Sequence, residues 1–194
     1  MSKKVILVTG TPCVGKTSVS QLLVARIGAL YVNLTNLATD EKLVLGRDKE
    51  RDTVIVDEAR MTRKMREIIQ SSEKDVIVDG HYAASVVPEK LVTFAFVLRR
   101  DPVELKLFMG RSGFSNRKMM ENLASEILDV CLVDALKALG SGKVCEVNVT
   151  GKSAEEAARE ILSIVSDKSK CCVGVVDWLG KLENEGLLDE FLKI

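Results

Sequence analysis

Residues Gly10 to Thr17 read G-T-P-C-V-G-K-T and fit the spacing G-x-x-x-x-G-K-[ST]. Each residue type has a physical reason. Gly10 and Gly15 let the backbone curl so that successive N–H groups converge on phosphate oxygens. Lys16 brings a point positive charge to the β- and γ-phosphates, and the Thr17 hydroxyl can ligate Mg²⁺. Such a loop needs a second acid, usually at the end of a buried strand, to seat the metal through water. Asp79, closing V-I-V-D, is the better candidate; Asp57 closes a second V-I-V-D at Val54 to Asp57 and stands behind it. His81 lies two residues past Asp79, where an imidazole can orient a water or touch the γ-phosphate. The charge of a transferring phosphoryl group calls for further cations. Arg111 and Arg117 flank a segment containing Gly113 that could close over a ligand, and Lys152, in the N-V-T-G-K turn, is placed to cover a base. Arg99 and Arg100 read as a solvated pair at a strand end.

The elements around these residues follow from hydrophobic patterning. Val5 to Thr9 is a β-branched, apolar run suited to a buried strand. Val19, Leu22, Leu23 and Ile27 have helical spacing, so the loop opens onto a helix N-terminus, where the dipole favours anions. Asp75–Asp79, Thr93–Leu98 and Lys143–Val149 lack polar alternation, as strands covered on both faces do. Leu30–Val32 suits a short strand, Asn33–Leu43 a short helix, and the charged stretch Gly46–Asp52 a solvated loop. Thr53–Val56 is open between strand and extended entry. Asp57 caps a helix to about Gln70 with a basic outer face, Asp101 and Pro102 start another, and Ser153 with Glu156 forms a capping box. One long helix is expected from Ser115 or Asn116 to Leu139, buried in its apolar second half. After a polar break at Ser166–Lys170, the tail resumes amphipathic spacing, interrupted by Gly180 and Gly186; one broken or two short helices should pack back on the domain. Alternating strands and helices imply an α/β fold with a parallel sheet and ligands at the strands' carboxyl ends.

Composition narrows the classes. The 194 residues suit one domain with a sizeable core, 46% of them being hydrophobic. Twenty-eight basic and 28 acidic residues cancel, so no global charge points to nucleic acid or to a membrane surface, and no sequence-specific DNA binding is expected. No apolar run is long enough to span a membrane. The five cysteines have no paired C-x-x-C spacing and there is one histidine, so a zinc site is not expected; reduced thiols and a cytoplasmic location are.

With these residues in place, the chain resembles the small adenylate-kinase-related NTPases of archaea and eukaryotes that act in small ribosomal subunit maturation. The resemblance rests on Gly10–Ser18 (G-T-P-C-V-G-K-T-S), Val76–His81 (V-I-V-D-G-H), Val97–Arg99 (V-L-R), Arg111 with Asn122 and Glu126, and the final strand–loop–helix bearing Lys152. It implies a P-loop NTPase of the nucleoside-monophosphate-kinase kind, with a parallel sheet between two helical layers. The core would span residues 1–165, with an acceptor-binding insert at about 33–56 and a short lid at about 110–120. A helical tail, 166–194, would pack on it. It further implies ATP held by Cys13, Gly15, Lys16, Thr17, Ser18, Arg111 and Lys152, with Mg²⁺ at Thr17 and Asp79. Lys16, Asp79, His81 and Arg111 would be catalytic. The implied reaction is phosphoryl transfer to AMP or another monophosphate, with ATPase activity. The implied partners are a platform ribosomal protein and the pre-30S or pre-40S particle during 16S-type rRNA maturation. The chain departs from the family where D-L-A-R is replaced by Asn36-Leu37-Ala38-Thr39, removing an arginine that grips the acceptor phosphate. Arg47, Arg51 and Arg60 are the cations left to replace it, beside Asn33 and Asp57.

Overall fold

The computed structural model describes residues 3–48 and 53–192. The chain begins with β1 (Val5–Thr9), α1 (Lys16–Ile27), β2 (Leu30–Asn33), α2 (Leu34–Asp40), β3 (Val44–Asp48) and β4 (Thr53–Val56). It continues through α3 (Glu58–Ser71), β5 (Val76–Asp79), α4 (Ala83–Val86), β6 (Phe94–Arg99), α5 (Pro102–Arg111), α6 (Asn116–Ile127) and α7 (Val130–Leu139). It closes with β7 (Val144–Asn148), α8 (Ala154–Val165), α9 (Trp178–Asn184) and α10 (Leu188–Phe191). Five strands form a parallel sheet in the order β2-β5-β1-β6-β7. β1 is therefore central, and its register sets Val8 opposite Asp79 and Thr9 opposite Val97. The loop leaving β1 must emerge between the ends of β5 and β6.

The period-two alternation of β1 feeds two separate cores. Ile6 and Val8 pack with α1, α5, α6, α8 and the tail, through Leu23, Leu105, Leu123, Ile161 and Trp178. Val5 and Leu7 pack with α2, α3, α4 and α7, through Leu34, Met65, Val86 and Leu132. Every residue of β1 and β5 is buried, which explains why neither strand shows polar alternation. The capping expectations are met at Asp57, Asp101 and the Ser153–Glu156 box.

Several expectations are corrected. Gly46–Asp52 is not simply a solvated loop: β3 reaches Asp48 and pairs antiparallel with β4, with a bulge between Val44 and Gly46. The alternation in these segments is hidden by charge, and the hairpin stands off the core with Leu45, Val54 and Ile55 exposed. The single long helix is two. Asp129 adopts a left-handed φ of 58° between α6 and α7, and its carboxylate turns inward to pair with Arg99. Consequently the second half is not uniformly buried: Leu132, Ala135 and Leu139 face inward, while Leu128, Val130 and Val133 are exposed. The thiols are not all free either. Cys145 in β7 is joined to Cys171, because the chain past α8 returns along the open edge of β7. There the Glu146 N–H donates to the Cys172 carbonyl at 2.8 Å, bringing the two cysteine Cα atoms to 5.0 Å. Cys13, Cys131 and Cys172 are free.

The largest departure is at the end of β6. Arg99 and Arg100 are buried rather than solvated, and Arg99 is 1% exposed. Its guanidinium donates to Glu126 Oε1 at 2.9 Å, to Glu146 Oε1 at 2.6 Å, to the Glu126 carbonyl at 2.8 Å and to Asp129. One arginine thus ties β6, β7 and the α6–α7 junction together. Removing it leaves buried carboxylates without a partner, which typically costs about 3–5 kcal/mol. Arg99→Leu should lower unfolding stability by about that amount in urea titration. Arg117→Ala, which breaks only the exposed pair with Glu121, should cost about 1 kcal/mol or less. Equal costs for the two variants would contradict the network.

Candidate active site

The phosphate loop is a backbone structure built by close approach. Gly10 has φ 133°, and a Cβ there would lie 2.4 Å from the Leu98 carbonyl oxygen of β6, so no side chain fits. Gly15 has φ 107° and leads into α1, whose first residues are Lys16 and Thr17. Cys13 also adopts a left-handed φ, 69°, which keeps the loop curled. The Lys16 ammonium lies inside the curl, donating to the Gly10 and Thr11 carbonyls at 2.9 Å each. Burial pushes its pKa below the usual lysine range, and nearby anionic groups, Asp79 among them, oppose that shift.

Asp79 ends β5 beside this loop and is 1% exposed. Its Oδ2 accepts from Thr17 Oγ1 at 2.8 Å, Tyr31 OH at 2.8 Å and Asn33 Nδ2 at 2.9 Å. Tyr31 and Asn33 reach it because β2 lies next to β5, with Asn33 in register with Asp79. Asn33 does double duty, its Oδ1 capping α2 at the Asn36 N–H. A hydroxyl and one buried carboxylate make an all-oxygen set, which suits a small hard cation that keeps waters and phosphate oxygens for its remaining positions. Among the described residues no cluster of three His, Cys, Asp or Glu offers a fuller cage. Gly80 follows because a Cβ there would meet Leu34 at under 3 Å.

Two cavities flank the loop and share Lys16 and Thr17. The first, about 600 Å³, is lined by Cys13, Gly15, Lys16, Thr17, Ser18 and Lys152, together with Arg100, Phe108 and Ser112. Arg100 lies 4.9 Å over the Phe108 ring and donates to the Val14 carbonyl at 3.3 Å. The second, about 1010 Å³, holds Asp79, His81, Asn33, Tyr82, Lys118 and Asn122. Asn122 Nδ2 is a buried donor without an acceptor among the described residues. Desolvation of the imidazole, reinforced by the Lys16 and Lys118 ammonium groups, pulls the His81 pKa down to about 4, although the residue as a whole is exposed at the mouth of the cavity.

The expected residues therefore divide. Lys16, Thr17, Asp79 and His81 converge, the ATP-side set of Cys13, Gly15, Ser18 and Lys152 lines the first cavity, and Asn33 lines the second. Arg111 does not join them: it is exposed at the end of α5 and lines neither cavity. Asp57 is occupied as the cap of α3, Arg60 donates to the Lys42 carbonyl, and Arg47 is on the hairpin; none of the three lines either cavity. Arg51 lies outside the described residues. Thr39 does not replace the missing arginine, since its hydroxyl bonds the Thr35 carbonyl within α2. Sequence reasoning missed Tyr31, whose i, i+2 relation to Asn33 on a strand was the available signal. It also missed Lys118, one residue past Arg117, and the burial of Arg100.

Residues 6–129 match the family model described as AAA domain. Over 176 residues the chain is 34% identical to a protein of Methanocaldococcus jannaschii named "Putative adenylate kinase", covering 91% of this chain and 93% of that one. A protein of the same name from Thermococcus kodakarensis is 37% identical over 175 residues, covering 90% and 92%. The chain belongs to this adenylate-kinase-related P-loop family. Its fold is also that of shikimate kinase from Acinetobacter baumannii, solved in complex with shikimate, with a TM-score of 0.62 at 16% identity over 87% of this chain and 97% of that one. In this family member the loop, the acid at the end of β5 and the two cavities all lie at the carboxyl ends of the parallel strands, where open α/β sheets bind ligands.

The depressed histidine has a measurable signature, and His81 is the one histidine in the chain. NMR titration of its imidazole should give a midpoint near 4 rather than the ordinary 6.5. Because the unfolded chain takes up this proton first, His81 should make stability fall as pH drops from about 6.5 to about 4 and contribute no further change below that. His81→Asn should lack this component of the pH dependence; a midpoint near 6.5 would refute the desolvated ring.

Proposed function

We propose that the chain is a nucleoside monophosphate kinase of the adenylate kinase kind, using ATP and Mg²⁺ and retaining ATPase activity. The observation that carries this reading is the pair of cavities meeting at Lys16 and Thr17, one on each side of the phosphate loop. A donor nucleotide in the first and an acceptor in the second would have the transferred group pass between them. An ATPase alone needs no acceptor cavity of about 1010 Å³, and that volume suits a nucleotide-sized ligand. The names of the archaeal relatives support adenylate as the acceptor base.

In this mechanism the loop amides and Lys16 hold the triphosphate. Lys16 exchanges its two carbonyl partners for phosphate oxygens, which its desolvated position favours. Thr17 and Asp79 would hold Mg²⁺, which when bound with the triphosphate neutralises charge across the β- and γ-oxygens. Tyr31 and Asn33 fix the Asp79 carboxylate so that one oxygen keeps its aim. His81, neutral at physiological pH, can orient a water or the acceptor without adding charge repelled by Lys16. Residues 110–120 would serve as the lid, bringing Arg111 or Lys118 toward the reacting group and excluding water. The insert at 33–56 would meet the acceptor, and Arg100 with Phe108 would contact the donor base.

A role in ribosome maturation is a second reading, supported by the resemblance in sequence. Pull-down of a small-subunit platform protein with and without ATP tests it, and binding indifferent to nucleotide would reject the switch. For the kinase reading, ADP production from ATP should rise on adding AMP, more than with CMP, GMP or UMP. No stimulation by any monophosphate would leave only the ATPase. Lys16→Ala and Asp79→Asn should each lower kcat by about 10²-fold or more. His81→Ala should slow turnover more than it weakens ATP binding.

A further inference from the structure

We infer that Glu126 is a positioning residue that links the phosphate loop to the C-terminal segment, so that nucleotide binding and the docking of Trp178 are coupled. The inference rests on the nucleotide reading above. Glu126 is 1% exposed and lies in α6, outside both cavities. Its Oε2 accepts from the Thr11 hydroxyl, inside the phosphate loop. Its Oε1 accepts from the Trp178 indole N–H at 3.1 Å, from Arg99 Nε at 2.9 Å and from the Arg100 backbone N–H at 3.1 Å. One carboxylate therefore spans the loop, the end of β6 and the first turn of α9.

Thr11 is where the loop's occupancy registers. Its carbonyl accepts Lys16 Nζ at 2.9 Å, while its hydroxyl serves Glu126. A phosphate that draws Lys16 away takes one partner from Thr11, and the change reaches Glu126 through a single side chain. On the other side, Trp178 is 6% exposed and lines neither cavity, so a bound nucleotide does not touch it directly. The segment that carries Trp178 is also held by the packing of Leu182 and Phe191 in the core, by the Cys145–Cys171 bond and by further polar contacts. Glu146 Oε2 accepts from the Gly174 and Val175 N–H groups at 2.7 and 2.8 Å, and Lys181 pairs with Asp101. Glu146 belongs to the same strand-end cluster, since it also pairs with Arg99. Coupling between two sites is reciprocal. Displacing the tail should therefore loosen the loop's hold on a triphosphate as much as the triphosphate tightens the tail.

Trp178 is the one tryptophan in the chain, which supplies the readout. Adding ATP and Mg²⁺ to the protein should change its indole fluorescence. Thr11→Val keeps the shape and removes the donor; at saturating ATP it should abolish that change, and it should weaken ATP affinity by a factor of about five, the lower end of typical coupling. Trp178→Phe keeps the packing and removes the indole N–H; it should weaken ATP affinity about fivefold, the lower end of typical coupling. The Thr11→Val, Trp178→Phe double variant should bind ATP no more weakly than the weaker single variant, because both delete the same path. Thermal melts of each variant confirm folding. A fluorescence change that survives Thr11→Val, or additive losses in the double variant, would overturn the coupling. If wild-type protein fails to bind ATP in the calorimeter, the nucleotide reading falls and this inference with it. If it binds ATP with silent fluorescence and both single variants bind equally well, only this inference falls.

Discussion

A carboxylate taken out of water must be paired, and the interior of this chain is arranged around two that are. Glu126 and Glu146 are buried at the carboxyl ends of the sheet, and Arg99 pairs with both. Desolvating three charged groups is expensive unless every donor and acceptor is used. Here the remaining valences are filled by Thr11, the Arg100 amide, Trp178, Gly174 and Val175. The requirement to satisfy one buried ion cluster therefore recruits the phosphate loop, the α6–α7 junction and the C-terminal segment to the same place. The left-handed Asp129 is a local cost that brings its carboxylate to Arg99.

The site depends on that frame in a different way on each side of the loop. On the β5 side, position comes from the ladder: parallel register sets Asn33 opposite Asp79 and Asp79 opposite Val8, so three neighbouring strands deliver their side chains to one point. On the β6 side it comes from close packing, since Gly10 must pass against the Leu98 carbonyl. Lys16 is held in the curl by two carbonyls, with no anionic partner in hydrogen-bond contact among the described residues. A buried ammonium satisfied only by neutral oxygens is poised to exchange them for phosphate. The neutral His81 nearby adds no competing charge.

The part that stands off the frame is the β3–β4 hairpin. Its apolar side chains Leu45, Val54 and Ile55 remain exposed. Elements of low local contact are the ones from which ligand-closing segments are drawn. Arg47, on this hairpin, and Arg111, at the end of α5, line neither cavity, whereas Lys118 lines the second.

The phosphate loop, the acid of V-I-V-D and the histidine beyond it were legible in the sequence because their chemistry is local. Fixed spacings within a strand–loop–helix unit impose the loop's geometry, and a continuous apolar run marks a strand buried on both faces. The caps at Asp57, Asp101 and Ser153 were legible for the same reason. Arg99 and Arg100 were not: a pair of arginines after a strand has the same appearance whether solvated or buried. Arg100 is held by Glu104 and by the distant Val14 carbonyl, while Arg99 is buried against Glu126 and Glu146, 27 and 47 residues further along the chain. The break at Asp129 depends on that same distant arginine, and the pairing of Cys145 with Cys171 on the tail's return along β7. Choosing Asp79 over Asp57 needed only the better core strand. Tyr31 and Asn33 as its partners needed the strand order, which places β2 next to β5 rather than next to β1. Short-range periodicity can specify an element and its buried face; which charged groups meet inside is a property of the assembled sheet.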